Sequence, residues 1–104
     1  MSKRRVVVTG LGMLSPLGNN IKDSWEGILA ARSGAGPIED FDVSDFNTKF
    51  ACSVKNFDSE PAVSKRDARR MDKFIQYGIV AGAQAWEDSG LEVTPDNERR
   101  IGAC

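Results

Sequence analysis

A chain of 104 residues is long enough for one domain-sized core, burying roughly 60–70% of its unfolded surface. A hydrophobic share of 40%, a charged share of 28% and a net charge of −1 give no global attraction to nucleic acid or to an anionic membrane. The chain has no histidine, which removes Ser-His-Asp and Cys-His catalysis from it, together with the commonest metal ligand.

Lys3-Arg4-Arg5 are followed by only three consecutive apolar residues, Val6 to Val8, too few for the core of a signal peptide. No stretch approaches the length of a membrane span. Cys52 and Cys104 form neither a metal-ligand spacing nor a disulfide framework, so a reducing, cytoplasmic setting is expected, with no metal and no cofactor.

Val6-Val7-Val8 has no polar residue alternating within it, and such a run predicts a strand covered on both faces in a parallel α/β sheet. Gly10, Gly12, Ser15-Pro16 and Gly18 then break the strand into an irregular loop. Gly10-x-Gly12 invites a dinucleotide-binding reading, but position 15, where the third glycine should fall, is Ser15, and no Gly-Lys-Ser/Thr follows. Nucleotide binding is not supported.

Asn20 is a good N-cap, with Asp23 in a capping-box-like place, and Ile21, Trp25, Ile28 and Leu29 recur at helical spacing. The helix should end near Arg32, with Gly34 suited to a left-handed C′ position. Gly27 inside it costs about 1 kcal/mol against alanine, which close packing against a neighbouring backbone would offset. Gly36-Pro37 reads as a turn. From Glu39 to Asp45 acidic residues alternate with Phe41 and Val43, and Phe46 follows. The run lacks the distal ligand of an EF-hand, and its apolar members read as anchors for a surface loop. Phe50, Cys52 and Val54 alternate with Ala51, Ser53 and Lys55, predicting a half-buried strand with Cys52 on its apolar side.

Ser64 can cap a basic helical segment, Lys65-Arg66-Asp67-Ala68-Arg69-Arg70. On an uninterrupted helix, Lys65, Arg66, Arg69, Arg70 and Lys73 share one face about 140° wide. Five cations against two acidic residues (Asp67, Asp72) repel at i,i+4 spacing by a few tenths of a kcal/mol per pair. A solvated face is the plain interpretation; an anionic partner would explain the one-sidedness better. Asp72 to Ser89 is the strongest predicted helix, about 27 Å long. It is apolar on more than one side, with Gly78 and Gly82 placed to admit another backbone and Gly90 to end it. Thr94-Pro95-Asp96 predicts a turn, and Arg99 to Cys104 a second small-residue strand. These elements cannot cover both faces of a parallel sheet, so a piece of a larger α/β protein is expected. Were 104 residues the whole product, uncovered apolar surface should drive assembly or aggregation through the Phe74–Trp86 helix.

Val7 to Gly18 (Val-Val-Thr-Gly-Leu-Gly-Met-Leu-Ser-Pro-Leu-Gly) resembles the N-terminal signature of the β-ketoacyl-acyl-carrier-protein synthases. Arg69-Arg70-Met71-Asp72-Lys73-Phe74-Ile75-Gln76-Tyr77-Gly78-Ile79-Val80-Ala81 is similar to the elongating, type II branch of that family, and Asp88-Ser89-Gly90-Leu91 and Arg100-Ile101-Gly102 agree. The resemblance implies a thiolase-like α/β fold, five-layered α-β-α-β-α at full length. Residues 1–104 would form only part of its N-terminal half, and the family assembles as a homodimer. It implies condensation of an acyl thioester with malonyl-acyl-carrier protein, with loss of carbon dioxide. The family's nucleophilic cysteine, two histidines and lysine have no counterpart here, so no catalytic residue is assigned and this stretch alone should be inactive. Neither Cys52 nor Cys104 matches the nucleophile's motif. Arg66, Arg69 and Arg70 match the basic cluster that docks the acidic helix of acyl-carrier protein, with Lys65 and Lys73 at the rim. A type I or polyketide-type ketosynthase of the same fold, or a non-catalytic carrier- or anion-binding module, remain the alternatives.

Overall fold

In a computed structural model that describes residues 2–104, the chain first runs without a strand partner through Val6 to Val8, exposed by 93%, 70% and 78%. The predicted doubly covered strand therefore has no covering here: among the described residues the only ladder lies elsewhere, and no second strand reaches the valines. Ser15 and Gly18 then exchange backbone hydrogen bonds of 2.9 and 3.2 Å across Pro16-Leu17, which makes the expected loop a tight bridge.

Helix α1 spans Ile21–Leu29. Asn20 caps it as predicted, its side-chain oxygen accepting from the Asp23 amide at 2.8 Å. Ser24 is buried on this helix, its hydroxyl 2.6 Å from that of Ser15 and donating to the Gly18 carbonyl at 3.2 Å. Gly27 is also buried, and a Cβ there would lie 3.1 Å from Leu17 Cβ and 2.7 Å from the Arg32 guanidinium. The close packing is real, but side chains supply it. The helix stops earlier than expected, and the left-handed residue after it is Ala31, at φ 53°, rather than Gly34. Gly34 is small for another reason: a Cβ on it would meet Pro16 at 2.5 Å.

Strands β1 (Gly36–Pro37) and β2 (Phe50–Ala51) pair antiparallel, and the Ile38 amide extends the pairing to the Lys49 carbonyl at 3.1 Å. Gly36-Pro37 is thus a strand rather than a turn, and the acidic stretch forms the loop closed by this ladder. Phe41 and Phe46 meet edge to face at 5.9 Å but are each 58% exposed, so they pack on one another instead of anchoring the loop. Asp42 accepts from the Ser44 amide at 3.0 Å, and that bond holds its carboxyl below the usual carboxylate range. The expected alternation holds at one end only: Val54 is half-buried between exposed Ser53 and Lys55, whereas at the other end the faces are reversed. Phe50 and Cys52 are exposed and Ala51 is half-buried. The alternating pattern marks which residues share a face; which face is covered depends on what packs there.

Lys55, just beyond, ties these pieces together. Its ammonium donates to the carbonyls of Pro16 (3.2 Å), Gly34 (2.9 Å) and Ser53 (3.2 Å). Asn19 donates in turn to the Lys55 and Asn56 carbonyls at 2.9 and 3.1 Å. Lys55→Met keeps the aliphatic stem and removes all three bonds. It should lower the unfolding free energy by about 1.5 kcal/mol, the lower end for a charged donor because the site is open to solvent. Urea denaturation measures this, and an unmoved midpoint would count against the clasp.

Helix α2 (Lys65–Ala68) is followed by α3 (Lys73–Ser89), which ends at Gly90 in the left-handed conformation, φ 67°, as predicted. The opening segment crosses α3. The amides of Leu11 and Met13 donate to Asp88 Oδ2 (2.9 Å) and Gln84 Oε1 (3.0 Å), and Gln84 Nε2 donates to the Asn19 carbonyl at 2.7 Å. Gly10 and Gly12 make that approach possible: a Cβ on Gly10 would lie 2.7 Å from the Ser89 nitrogen, and one on Gly12 2.8 Å from that of Ala85. Gly78 and Gly82 have nothing within 4 Å of their Cβ positions among the described residues, which leave the face they open unoccupied.

Thr94 to Asn97 forms the expected turn, with the Glu98 amide bonded to the Thr94 carbonyl at 2.9 Å. Arg99 and Arg100 lie in a short 3-10 helix, Glu98–Arg100, instead of opening a strand, and residues 101–104 have no ladder partner among those described. Val63 is the one buried hydrophobic residue among those described.

Candidate functional site

The basic segment is built on a short scaffold. Ser59 and Val63 form a buried turn just before it: the Val63 amide donates to the Ser59 carbonyl at 2.8 Å, and the Ser59 hydroxyl to the Val63 carbonyl at 3.2 Å. Ser64 then caps α2, accepting from the Asp67 amide at 3.1 Å while its hydroxyl donates to Asp67 Oδ2 at 2.9 Å. This reciprocal arrangement satisfies a first-turn donor and fixes where the helix begins.

The helix continues for only four residues. Arg69, at φ −64° and ψ −19°, is its C-cap, and turn bonds from the Arg70 and Met71 amides to the Asp67 and Ala68 carbonyls close it. Asp72, with extended backbone, caps a new helix and bonds the Lys73 amide at 2.7 Å. The single cationic face drawn on an unbroken helix is therefore corrected: Lys73 belongs to a separate helix, α3. The expectation failed because one hydrogen-bonding aspartate restarts the helix, and residue spacing alone does not register a restart.

Lys65, Arg66, Arg69 and Arg70 remain together on α2 and the turn that ends it, and all four side chains are exposed. Lys65 and Arg69, and Arg66 and Arg70, are each separated by four residues. The two acidic residues within the cluster are engaged elsewhere, Asp67 with the Ser64 hydroxyl and Asp72 with the Lys73 amide. The cations thus face solvent beside two carboxylates, each with one oxygen serving a helix cap. Such a surface can receive carboxylates or phosphates, the arginines in forked, two-point contacts.

Three structural residues escaped the sequence reading. Gln76, on α3, donates through Nε2 to the carbonyls of Ala68 (3.1 Å) and Met71 (3.0 Å). Lys55 and Asn19 form the clasp described above. Long polar side chains reaching distant carbonyls leave no periodic signal, so nothing in the pattern marked them. Phe57 and Tyr77, edge to face at 4.7 Å and 90°, fasten the segment before α2 to α3.

Cys52 lies just after β2 and Cys104 in the segment beyond the 3-10 helix; both are free and exposed. Neither occupies a helix N-terminus, where the dipole would favour a thiolate. No helix among the described residues is long and apolar enough to cross a membrane.

Residues 3–104 match the family described as "Beta-ketoacyl synthase, N-terminal domain". Across all 104 residues the chain is 63% identical to 3-oxoacyl-(acyl-carrier-protein) synthase 2 of Vibrio cholerae and 47% identical to the protein of the same name from Coxiella burnetii, in each case covering 25% of the relative. Among solved structures it resembles the ishigamide ketosynthase/chain length factor, with a TM-score of 0.76 and 36% identity over 88% of this chain and 23% of that one. The chain spans about a quarter of the length of the curated relatives it matches. Its architecture is that of a thiolase-like α/β fold, in part.

Proposed function

Because the chain belongs to the β-ketoacyl synthase family through its N-terminal domain, we propose that it serves an elongating condensing enzyme of type II fatty-acid synthesis and supplies that enzyme's acyl-carrier-protein docking segment. The observation that carries the docking role is the exposed group Lys65, Arg66, Arg69 and Arg70, beside acidic residues already committed to helix caps. An acidic carrier helix is the complementary partner, and contacts of this kind govern association rate and salt dependence more than residence.

In the reaction so assigned, an acyl group leaves an enzyme thioester for the α-carbon of malonyl-acyl-carrier protein. The electron pair of the breaking bond to the carboxylate forms the new carbon–carbon bond, carbon dioxide departs, and the released thiolate takes a proton. None of residues 1–104 is assigned that step. They are read as part of the first thiolase-like half; their task is to hold the carrier. A homodimer in the cytoplasm, acting on acyl and malonyl thioesters without cofactor or metal, completes the proposal.

A sister ketosynthase of polyketide type is the second reading, favoured by the structural likeness to the ishigamide ketosynthase/chain length factor. The higher identity to the synthase 2 relatives, 63% against 36%, weighs against it. The test is direct. The protein at its natural length, given an acyl thioester and malonyl-acyl-carrier protein, should release carbon dioxide and yield a product two carbons longer on the carrier. Carrier binding with no condensation would replace the enzyme reading by a non-catalytic carrier-binding module.

A further inference from the structure

We propose that Gln76 is a positioning residue for carrier recognition: its side-chain amide locks the turn bearing Arg69 and Arg70 onto α3, so the docking cations are presented in one arrangement before the carrier arrives. The inference rests on the docking reading above and extends it to a residue that the carrier itself does not touch.

A four-residue helix lies far below the length at which a helix persists by itself. Its final carbonyls have no partner within the helix, and they must be satisfied from outside or the last turn frays. Gln76 adds a second donor to the Ala68 carbonyl at 3.1 Å, beside the turn bond from the Met71 amide, and supplies one to the Met71 carbonyl just past the helix at 3.0 Å; these residues flank Arg69 and Arg70 on either side. The amide is half-buried between α2 and α3, so its bonds are shielded from competing water. Gln76 is itself placed by the first full turn of α3, where its backbone N–H donates to the Asp72 carbonyl at 3.3 Å. A local stop signal and a long helix are thereby joined by one side chain.

Without that tie, the Met71 carbonyl loses its side-chain donor, Ala68 keeps only the turn bond from the Met71 amide at 3.2 Å, and the arginine-bearing turn gains conformers. Binding must then re-order it, a cost drawn from carrier affinity rather than from the chemical step. The number of cations offered is unchanged. A loss of ordering should therefore weaken binding at every salt concentration equally, whereas removing a cation flattens the salt dependence.

The experiment compares Gln76→Met, which keeps the length of the side chain and removes its donors, with Arg69→Glu, in the protein at its natural length. Gln76→Met should raise KM for acyl-carrier protein about three- to tenfold, the range of one to two lost hydrogen bonds. It should leave kcat, the rate with a small thioester and the salt slope as in the parent, and hydrogen exchange at the Arg70 and Met71 amides should quicken. If Arg69→Glu raises KM and Gln76→Met does not, the positioning role falls while docking stands. If neither moves KM, the docking reading falls and takes this inference with it. If Gln76→Met slows the small-thioester reaction as well, its role is general structure, and the proposal is overturned. Should Gln76→Met not fold, Gln76→Asn, which keeps the amide but shortens its reach by one methylene, is the second variant, judged by the same KM split.

Discussion

Replacing Gly12 by valine is expected to unfold the junction on which the described residues are organised. A Cβ at this position lies 2.8 Å from the Ala85 nitrogen and presses on the Ala81 carbonyl, both on the backbone of α3. A helix backbone cannot rotate out of the way as a side chain can, so the opening segment must lift from the helix. That lift stretches the bonds from Leu11 to Asp88 and from Met13 to Gln84, now 2.9 and 3.0 Å. About 3 kcal/mol is the expected loss for Gly12→Ala, and more for valine, a large part of a typical domain's stability. Gly82→Ala is the control, because nothing lies within 4 Å of its Cβ position. In this chain that substitution should stabilise α3 by about 1 kcal/mol through helix propensity. Urea unfolding of the two variants beside the parent decides the matter. A Gly12→Ala midpoint equal to the parent's would refute the seam, and a strongly destabilised Gly82→Ala would reveal a backbone packed on the face that is open here.

Reversing charge at Arg66 and Arg69 together should raise KM for acyl-carrier protein about thirtyfold at low ionic strength. Each substitution removes an attraction and installs a repulsion toward an acidic partner, and both sites are exposed, so folding should be little affected. The effect should shrink as salt is added, because exposed charges are screened over a Debye length of about 10 Å at 0.1 M. The reaction with a small thioester, which needs no carrier surface, should proceed at the parent's rate. An unchanged KM for the carrier protein would refute the assignment of Arg66, Arg69 and Arg70 to docking. A rate lost equally with carrier and small thioester would point to a fold defect instead.

Local hydrogen-bonding chemistry made much of this legible in advance. Asn20, Ser64 and Gly90 cap their helices as their residue types demand, because a cap depends on atoms within three or four residues. The candidate site was legible as composition: four cations in six residues, with Ser64 before them. Its shape was not. Asp72 restarts the helix and places Lys73 in a separate one, while Gln76 fastens the break from the far side.

The sequence by itself determined where α1 and α2 begin and where α3 ends, which residues carry the charge, and, through its motifs, the family. Tertiary structure alone decided what the glycines are for and which faces are covered. Gly10 and Gly12, first read as loop formers, are the places where one backbone meets another far along the chain. Phe50 and Cys52, read as inward, face outward. The physical reason is range. Capping and propensity act among near neighbours, whereas the bonds from Leu11 to Asp88 and from Met13 to Gln84 join residues 77 and 71 positions apart, whose meeting no local pattern encodes.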